Sequence, residues 1–358
     1  MSENKQLSII ICTFNRAQAV LKVLEELDSQ FLNQPSPKSS QIIVIDNNSS
    51  DSTAEDIKNF QALKKSNIEI NYFLEPVQGS SSARNRGIES SQGELLVFLD
   101  DDINLCENWL TEILKISAQE KISFVAGGRV KPLWASDLPP WLRLAPPFEI
   151  ISSCFPAHDF GDSPRTYPFK TGRRLIQNPI SACFLATRDV FTRCGNFRED
   201  LGIHGSQRGA CEDTEFFWRV LAGGQAIHYL PSITVLHPIP PQRMTQKFIL
   251  DWYELLGRTL SYLISNKLTH LNPDRKSPSL TKLLLKKFLL QIFYYSSIPL
   301  NQPAVSFWLK CQIAKTKGSI GFIKDSLKNE VLRRNPLNKN FKDPLPEPRE
   351  NLGSGLKN

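Results

Sequence analysis

The sequence is short of several features, and each absence removes a class of protein. No uninterrupted apolar run approaches the roughly 18 residues that a membrane-spanning helix needs, so no such helix is expected. The opening stretch, Met1 to Phe14, has no basic segment followed by an apolar run and a small-residue cleavage site, so no signal peptide is expected. Seven cysteines, at 12, 106, 154, 183, 194, 211 and 311, are odd in number, widely spaced and without a CxxC pair. They read as reduced thiols of a cytosolic protein rather than a disulfide framework. The 24 prolines follow no collagen-like period, and the chain contains no internal repeat. What remains is ordinary for a globular protein. Of 358 residues 41% are hydrophobic and 22% charged, too apolar for a disordered chain and long enough for about two domains.

The charge is uneven. Residues 1–240 hold 23 basic and 28 acidic side chains, whereas 241–358 hold 20 and 8. This asymmetry predicts a catalytic body over 1–240, a basic amphipathic helical region over 241–330, and a disordered tail over 331–358 rich in Pro, Asn and Lys. In the basic region lysines alternate with long apolar side chains, as in Leu283 to Leu290 followed by Ile292, Phe293, Tyr294 and Tyr295. That composition fits an interfacial helix on a membrane surface and does not fit nucleic acid. The alternative is a helix packed on the body with its lysines in water.

The body alternates strands with helices. Apolar, β-branched runs at 7–12, 41–45, 68–74 and 95–99 predict strands, and apolar spacing predicts helices over 17–27, 54–65 and 81–90. Further strands are expected at 181–186, 226–229 and 233–236, with a helix over 214–222; residues 132–180, broken repeatedly by prolines such as Pro132, Pro139, Pro140, Pro146, Pro147, Pro156, Pro164 and Pro168, read as an irregular insertion. Trp134 and Trp141 within it suit stacking on a sugar ring or packing in the core. The fold class is α/β, a doubly wound, mostly parallel sheet flanked by helices, with a C-terminal helical extension. Ligands of such sheets bind beyond the carboxyl ends of the strands. Those ends here carry Thr13 and Asn15, then Asp46, then Asp100-Asp101-Asp102.

Three adjacent carboxylates at a strand end repel one another unless a cation sits among them, and carboxylate oxygen is the donor that Mg²⁺ and Mn²⁺ prefer. Alternation along an extended segment turns Asp100 and Asp102 to one side and Asp101 to the other. Arg84 and Arg86 lie early in a helix after Gly79-Ser80-Ser81-Ser82, where backbone N–H groups favour an anion. Glu212-Asp213 opens a helix whose dipole favours the ionised form; Asp213 either takes a proton from a hydroxyl nucleophile or caps the helix. The glycine-rich stretch from Gly202 to Gly209, with His204, reads as a loop able to close over substrate.

Taken in order, Cys12-Thr13-Phe14-Asn15-Arg16, the loop from Asp46 to Asp51, the Ser80–Ile88 segment, the strand ending in Asp100-Asp101-Asp102 and the segment from Cys211 to Val220 make residues 5–237 resemble the family 2 glycosyltransferases, which have a GT-A, Rossmann-like fold. The resemblance implies an inverting enzyme that moves a sugar from a nucleoside-diphosphate sugar, a UDP-sugar above all, to a hydroxyl of a glycan or lipid-linked acceptor in polysaccharide biosynthesis. It assigns Thr13, Asn15, Arg16, Asp46, Arg84, Asp100 and Asp101 to the nucleotide sugar. Asp102, Asp100 and His237 would hold Mg²⁺ or Mn²⁺. Asp213 becomes the catalytic base, with Glu212 holding the acceptor or the loop. The expected setting is the cytoplasm, with peripheral contact at the inner face of a membrane. A nucleotidyltransferase would also use acidic metal ligands but needs a glycine-rich basic loop after the first strand, and residues 12–16 contain no glycine. A non-catalytic sugar-nucleotide-binding protein would have no use for Glu212-Asp213.

Overall fold

The computed structural model describes residues 6–34, 40–119, 123–144, 148, 150, 154–171, 174–176, 178–202, 209–272 and 274–328. The tail 331–358, His204 and most of the glycine-rich loop lie outside the described residues.

The body is built on a mixed sheet. Strand β1 (Leu7–Thr13) lies between β2 (Ser40–Asp46) and β4 (Leu95–Asp100), with β3 (Glu69–Leu74) beyond β2, and all four run parallel. Both faces of this half are covered. Leu7, Ile9 and Ile11 point into one core with α1 (Ala17–Leu32), α2 (Thr53–Leu63) and α4 (Trp109–Ser117), after the two-residue strand β5 (Asn104–Leu105). Ile10 points into the other core, with α3 (Ser80–Ser90), α5 (Arg188–Cys194) and α6 (Glu212–Ala222). Burial on both faces is why these strands read as unbroken aliphatic runs.

Beyond β4 the order continues through β10 (Cys183–Thr187), β6 (Val125–Trp134) and β11 (Ile227–Ile239) to β5. β10 is antiparallel to both β4 and β6, and its Phe184 stacks on Phe98 at 4.5 Å. Two antiparallel steps restore direction, so β11, parallel to β6, runs the same way as β4. The carboxyl ends of β1, β4 and β11 and the start of β10 therefore share one edge.

The sequence expectations hold for the first three helices and first four strands. The expected strands at 226–229 and 233–236 are one strand with a register shift between Leu230 and Thr234. The irregular stretch 132–180 carries the end of β6 and three short strands, β7 (Arg165–Tyr167), β8 (Phe169–Thr171) and β9 (Arg174–Ile176). Trp134 and Trp141 pack edge-on against Phe155 and Phe307 at the border of an apolar core, as the packing alternative expects.

The basic region forms α7 (Gln246–Ser265), α8 (Leu280–Ser297) and α9 (Pro303–Lys328). Thr245 caps α7 by accepting from the Phe248 amide at 3.2 Å. Ile249 and Tyr253 of α7 and Phe307 and Cys311 of α9 share a core with Ile239, Phe155 and Leu142. Tyr262 and Phe322 join Leu201 and Trp218, and the Tyr262 hydroxyl donates to Asp200. α7 and α9 are thus packed on the body, while α8 packs on α9.

The α7–α9 crossing is backbone against backbone. A Cβ on Gly318 would meet the Glu254 carbonyl at 1.8 Å, and one on Gly257 the Lys315 carbonyl at 1.8 Å. Gly318→Ala should gain about 1 kcal/mol of helix propensity. Overpacking of about 1–3 kcal/mol or more outweighs it, because the obstacle is a backbone that no rotamer relieves. A lower urea midpoint for Gly318→Ala is expected; an unchanged or higher one contradicts this packing.

Candidate active site

At the shared edge the polar residues meet in a cleft of about 1120 Å³, lined by Thr13, Arg16, Arg84, Asp100, Asp101, Asp102, Ser181, Glu212, Asp213 and His237. Register explains the meeting. Cys12 of β1 pairs with Asp100 of β4, and the Asp100 amide donates to the Ala182 carbonyl just before β10. The chain leaves β1 toward β2 on one side and reaches β4 on the other, so this is also the topological switch point.

Asp100, Asp102 and His237 form a cluster in which one ligand atom from each lies within 4.8 Å of the others. His237 Nε2 is 3.2 Å from Asp102 and 3.8 Å from Asp100. Its Nδ1 is 3.0 Å from the Pro238 carbonyl, which can only accept, so Nδ1 carries a proton and Nε2 faces the carboxylates. That anchoring is how metal-binding imidazoles are held. Two carboxylates and a fixed imidazole suit a divalent cation such as Mg²⁺ or Mn²⁺.

Titration reflects the crowding. Burial and the neighbouring Asp102 raise Asp100 above the usual carboxylate range, against Arg84, His237 and Arg16. Burial would raise Asp102 as well, but the His237 hydrogen bond and charge, with Arg16 and Arg243, hold it low. Burial disfavours charge on His237, yet Asp102 and Asp100 outweigh it and raise its pKa. Arg16 Nη1 donates at 2.8 Å to both Asp101 and Asp102. Asp101 does not turn away as strand alternation predicts. β4 ends at Asp100, the next two residues form a turn, and Asp101 lines the same cleft, buried, with its pKa raised to about 6 by burial.

Arg84 ties the two acidic centres together. Its guanidinium donates to Glu212 at 3.1 Å and to the Ser181 hydroxyl at 3.1 Å, and lies 4.0 Å from Asp100. Glu212 also accepts from the Ser80 hydroxyl at 3.3 Å. One Asp213 oxygen accepts from the Thr214 amide at 2.6 Å, the other from the Ser181 amide at 3.3 Å. Asp213, the second residue of α6, is therefore held by the amide that follows it and by the loop before β10 together; the cap position is Cys211, without a side-chain cap, so Asp213 does not have the expected capping role. Burial, then the neighbouring Glu212 charge, raise its pKa to about 6, against Arg84 and the two amides. A carboxylate so poised is suited to proton transfer near neutral pH.

The family model for glycosyl transferase family 2 matches residues 8–195, just over half the chain. This protein belongs to glycosyltransferase family 2. The chain is 26% identical over 267 residues to the succinoglycan biosynthesis protein ExoM of Rhizobium meliloti, covering 74% of this chain and 77% of that one. It is 35% identical over 124 residues to the GalNAc(5)-diNAcBac-PP-undecaprenol beta-1,3-glucosyltransferase of Campylobacter jejuni, covering 34% of this chain and 37% of that one. Among solved structures it aligns with a mannosyltransferase of Pyrobaculum calidifontis in complex with GDP-Man and Mn²⁺. That alignment has 13% identity and a TM-score of 0.49 and covers 91% of this chain and 76% of the other. The mostly parallel sheet flanked by helices, with a helical C-terminal region, is the α/β architecture expected from the sequence, and the protein is a glycosyltransferase.

Two of the expected nucleotide residues of this glycosyltransferase sit beside the cleft rather than lining it. Asn15, in the left-handed region at φ 51°, accepts from the Ser50 amide at 2.7 Å, and its own amide donates to the Ser49 hydroxyl. Asp46 accepts from the Ser49 amide at 2.8 Å and from the Tyr72 hydroxyl at 2.7 Å. Both brace the loop after β2. Arg86 lies over the Phe73 ring, outside the cleft lining. The structure adds three residues that sequence reasoning missed: Ser181, Arg243 and Lys315. Ser181 lies in the loop just before β10 and has no motif of its own. Arg243 follows His237-Pro238 by five residues, the one local hint available. Lys315 reaches the cleft from α9, and burial lowers its pKa.

Proposed function

We propose that this enzyme transfers a sugar with inversion from a nucleoside-diphosphate sugar, uridine diphosphate in the first instance, to a hydroxyl of a glycan or lipid-linked acceptor. The observation that carries the reading is Arg84, which touches Glu212 and approaches Asp100, binding the cation cluster and the candidate base into one cleft. The relative from Campylobacter, named for a substrate built on a diphosphate-linked polyprenol, supports a lipid-linked acceptor. Reduced thiols and a nucleotide-sugar donor favour the cytoplasm as the place of reaction.

In this reading Asp213 accepts the proton of the acceptor hydroxyl as its oxygen bonds to the anomeric carbon. The bond from that carbon to the diphosphate oxygen breaks, and the electron pair stays on the diphosphate. Arg84 and Arg243 lie where that growing negative charge can be met. Asp100, Asp102 and His237 would hold the divalent cation, which supplies Lewis-acid stabilisation of the leaving diphosphate when bound. Glu212, fixed by Arg84 and Ser80, keeps the α6 entry in place and can accept from a sugar hydroxyl. The experiment is a thermal-shift screen of UDP, GDP and dTDP with and without Mn²⁺. A Mn²⁺-dependent rise of the melting temperature with one of them is expected; no response to any contradicts the donor class.

A further inference from the structure

α8 is apolar on two opposite faces, and one of them has nothing packed against it among the described residues. At about 3.6 residues per turn, Leu283, Leu290, Tyr294 and Ser297 fall on one side of the helix and meet α9. Leu284, Leu285, Phe288, Leu289, Ile292 and Phe293 fall on the other half, interrupted by Thr281, Ser296 and, toward one edge, Lys282. That half is open to solvent, with Leu285 58%, Phe288 59% and Phe293 61% exposed, and Tyr295, at 65%, extends it. Ile298 and Leu300 continue it past the helix end. Large aromatic side chains offer roughly 150–250 Å² each. The strip as a whole therefore exceeds the few hundred Å² of contiguous apolar surface usual on a soluble monomer.

The surroundings identify the occupant by charge. From Arg275 to Lys324 the chain has nine basic residues and no acidic one. Lys286 borders the strip along one side with Lys282 just inside that edge, and Lys310 sits over the Tyr294 ring at 5.4 Å. A second copy of this chain, packed about a two-fold axis, would bring those lysines against one another. An anionic lipid surface pairs with them and also receives the apolar side chains. No helix among the described residues is long and apolar enough to cross a membrane, so contact is along the surface.

We propose that the outward face of α8, from Leu284 to Leu300, lies in the headgroup layer of an anionic bilayer and holds the enzyme there. Lys315, on α9 beneath α8, lines the cleft and is close enough to Lys286 and Arg275 to feel their charge. The proposal does not depend on the transfer reaction and is read separately from it.

The test is flotation of the full chain with vesicles of phosphatidylcholine containing about a third phosphatidylglycerol, and with phosphatidylcholine alone. Co-flotation with the anionic vesicles, weakened by salt, is expected. The triple variant Leu285→Ser/Phe288→Ser/Phe293→Ser should lose at least about tenfold of the partition coefficient, and Lys282→Glu/Lys286→Glu should lose it on anionic vesicles. The triple variant should keep the wild-type melting temperature and the wild-type nucleotide response, since its altered side chains are outside the cleft. Failure of the wild type to float overturns the proposal. So does undiminished flotation of the triple variant, or sedimentation showing a wild-type dimer that the triple variant converts to monomer.

Discussion

Asp213→Asn should lower kcat by about 10²–10⁴-fold while leaving nucleoside-diphosphate affinity within about twofold of the wild type. The size follows from the work assigned to the carboxylate. An acceptor hydroxyl must lose its proton as it attacks, and Asn cannot take it. The second half follows from the geometry. Asp213 contacts Thr214 and Ser181 rather than the Asp100, Asp102 and His237 cluster, and Asn can still accept from one of those amides. The wild-type pH profile carries the same assignment. With its pKa raised to about 6 by burial and by Glu212, Asp213 is the competent base above that value and is protonated below it. Activity should therefore rise with pH through about 6 and level off. The residual activity of Asp213→Asn should have no such rise. Near-wild-type turnover in the variant, or a donor affinity that collapses with it, removes Asp213 as base.

Asp102→Ala should abolish Mn²⁺-dependent binding of nucleoside diphosphate, weakening it by more than about 100-fold in calorimetry, because loss of even an outer-shell partner costs metal sites 10–100-fold. Asp102 is the better ligand of the two aspartates. His237 and Arg16 hold it ionised, whereas burial and Asp102 itself push Asp100 toward its protonated form. Alanine also leaves Arg16 with Asp101 alone and His237 with Asp100 at 3.8 Å. Cation-independent nucleotide binding at wild-type strength in Asp102→Ala would contradict the assignment.

The reasons these residues meet were partly legible in the sequence. β1, β2 and β4 are buried on both faces, so their aliphatic runs were plain, and the polar residues that end them, Thr13, Asp46 and Asp100, marked the carboxyl edge. β6 was not legible. It carries Gly127, Gly128 and Pro132, residues that argue against a strand. The glycines are there because a Cβ at Gly127 would meet Pro179 at 2.2 Å and one at Gly128 the Ile233 carbonyl at 2.7 Å. Nor does local sequence say that β10 runs antiparallel, which is what brings Ser181 beside Asp100 and Asp213. His237 was reached only through the resemblance, since a lone histidine after a strand is more often structural. Lys315 could not, since one lysine in a basic helix reads as solvated until tertiary packing turns it inward. Asp46 and Asn15 show the converse: their place at strand ends was read correctly, but their side chains brace a neighbouring loop.

The most direct measurement is the configuration of the first-formed sugar when the wild-type enzyme, with Mn²⁺, turns over its nucleotide-sugar donor with water as acceptor, followed by proton NMR before mutarotation. A single displacement with Asp213 as base requires the anomer opposite to the donor's. A first-formed sugar that keeps the donor's configuration would contradict it.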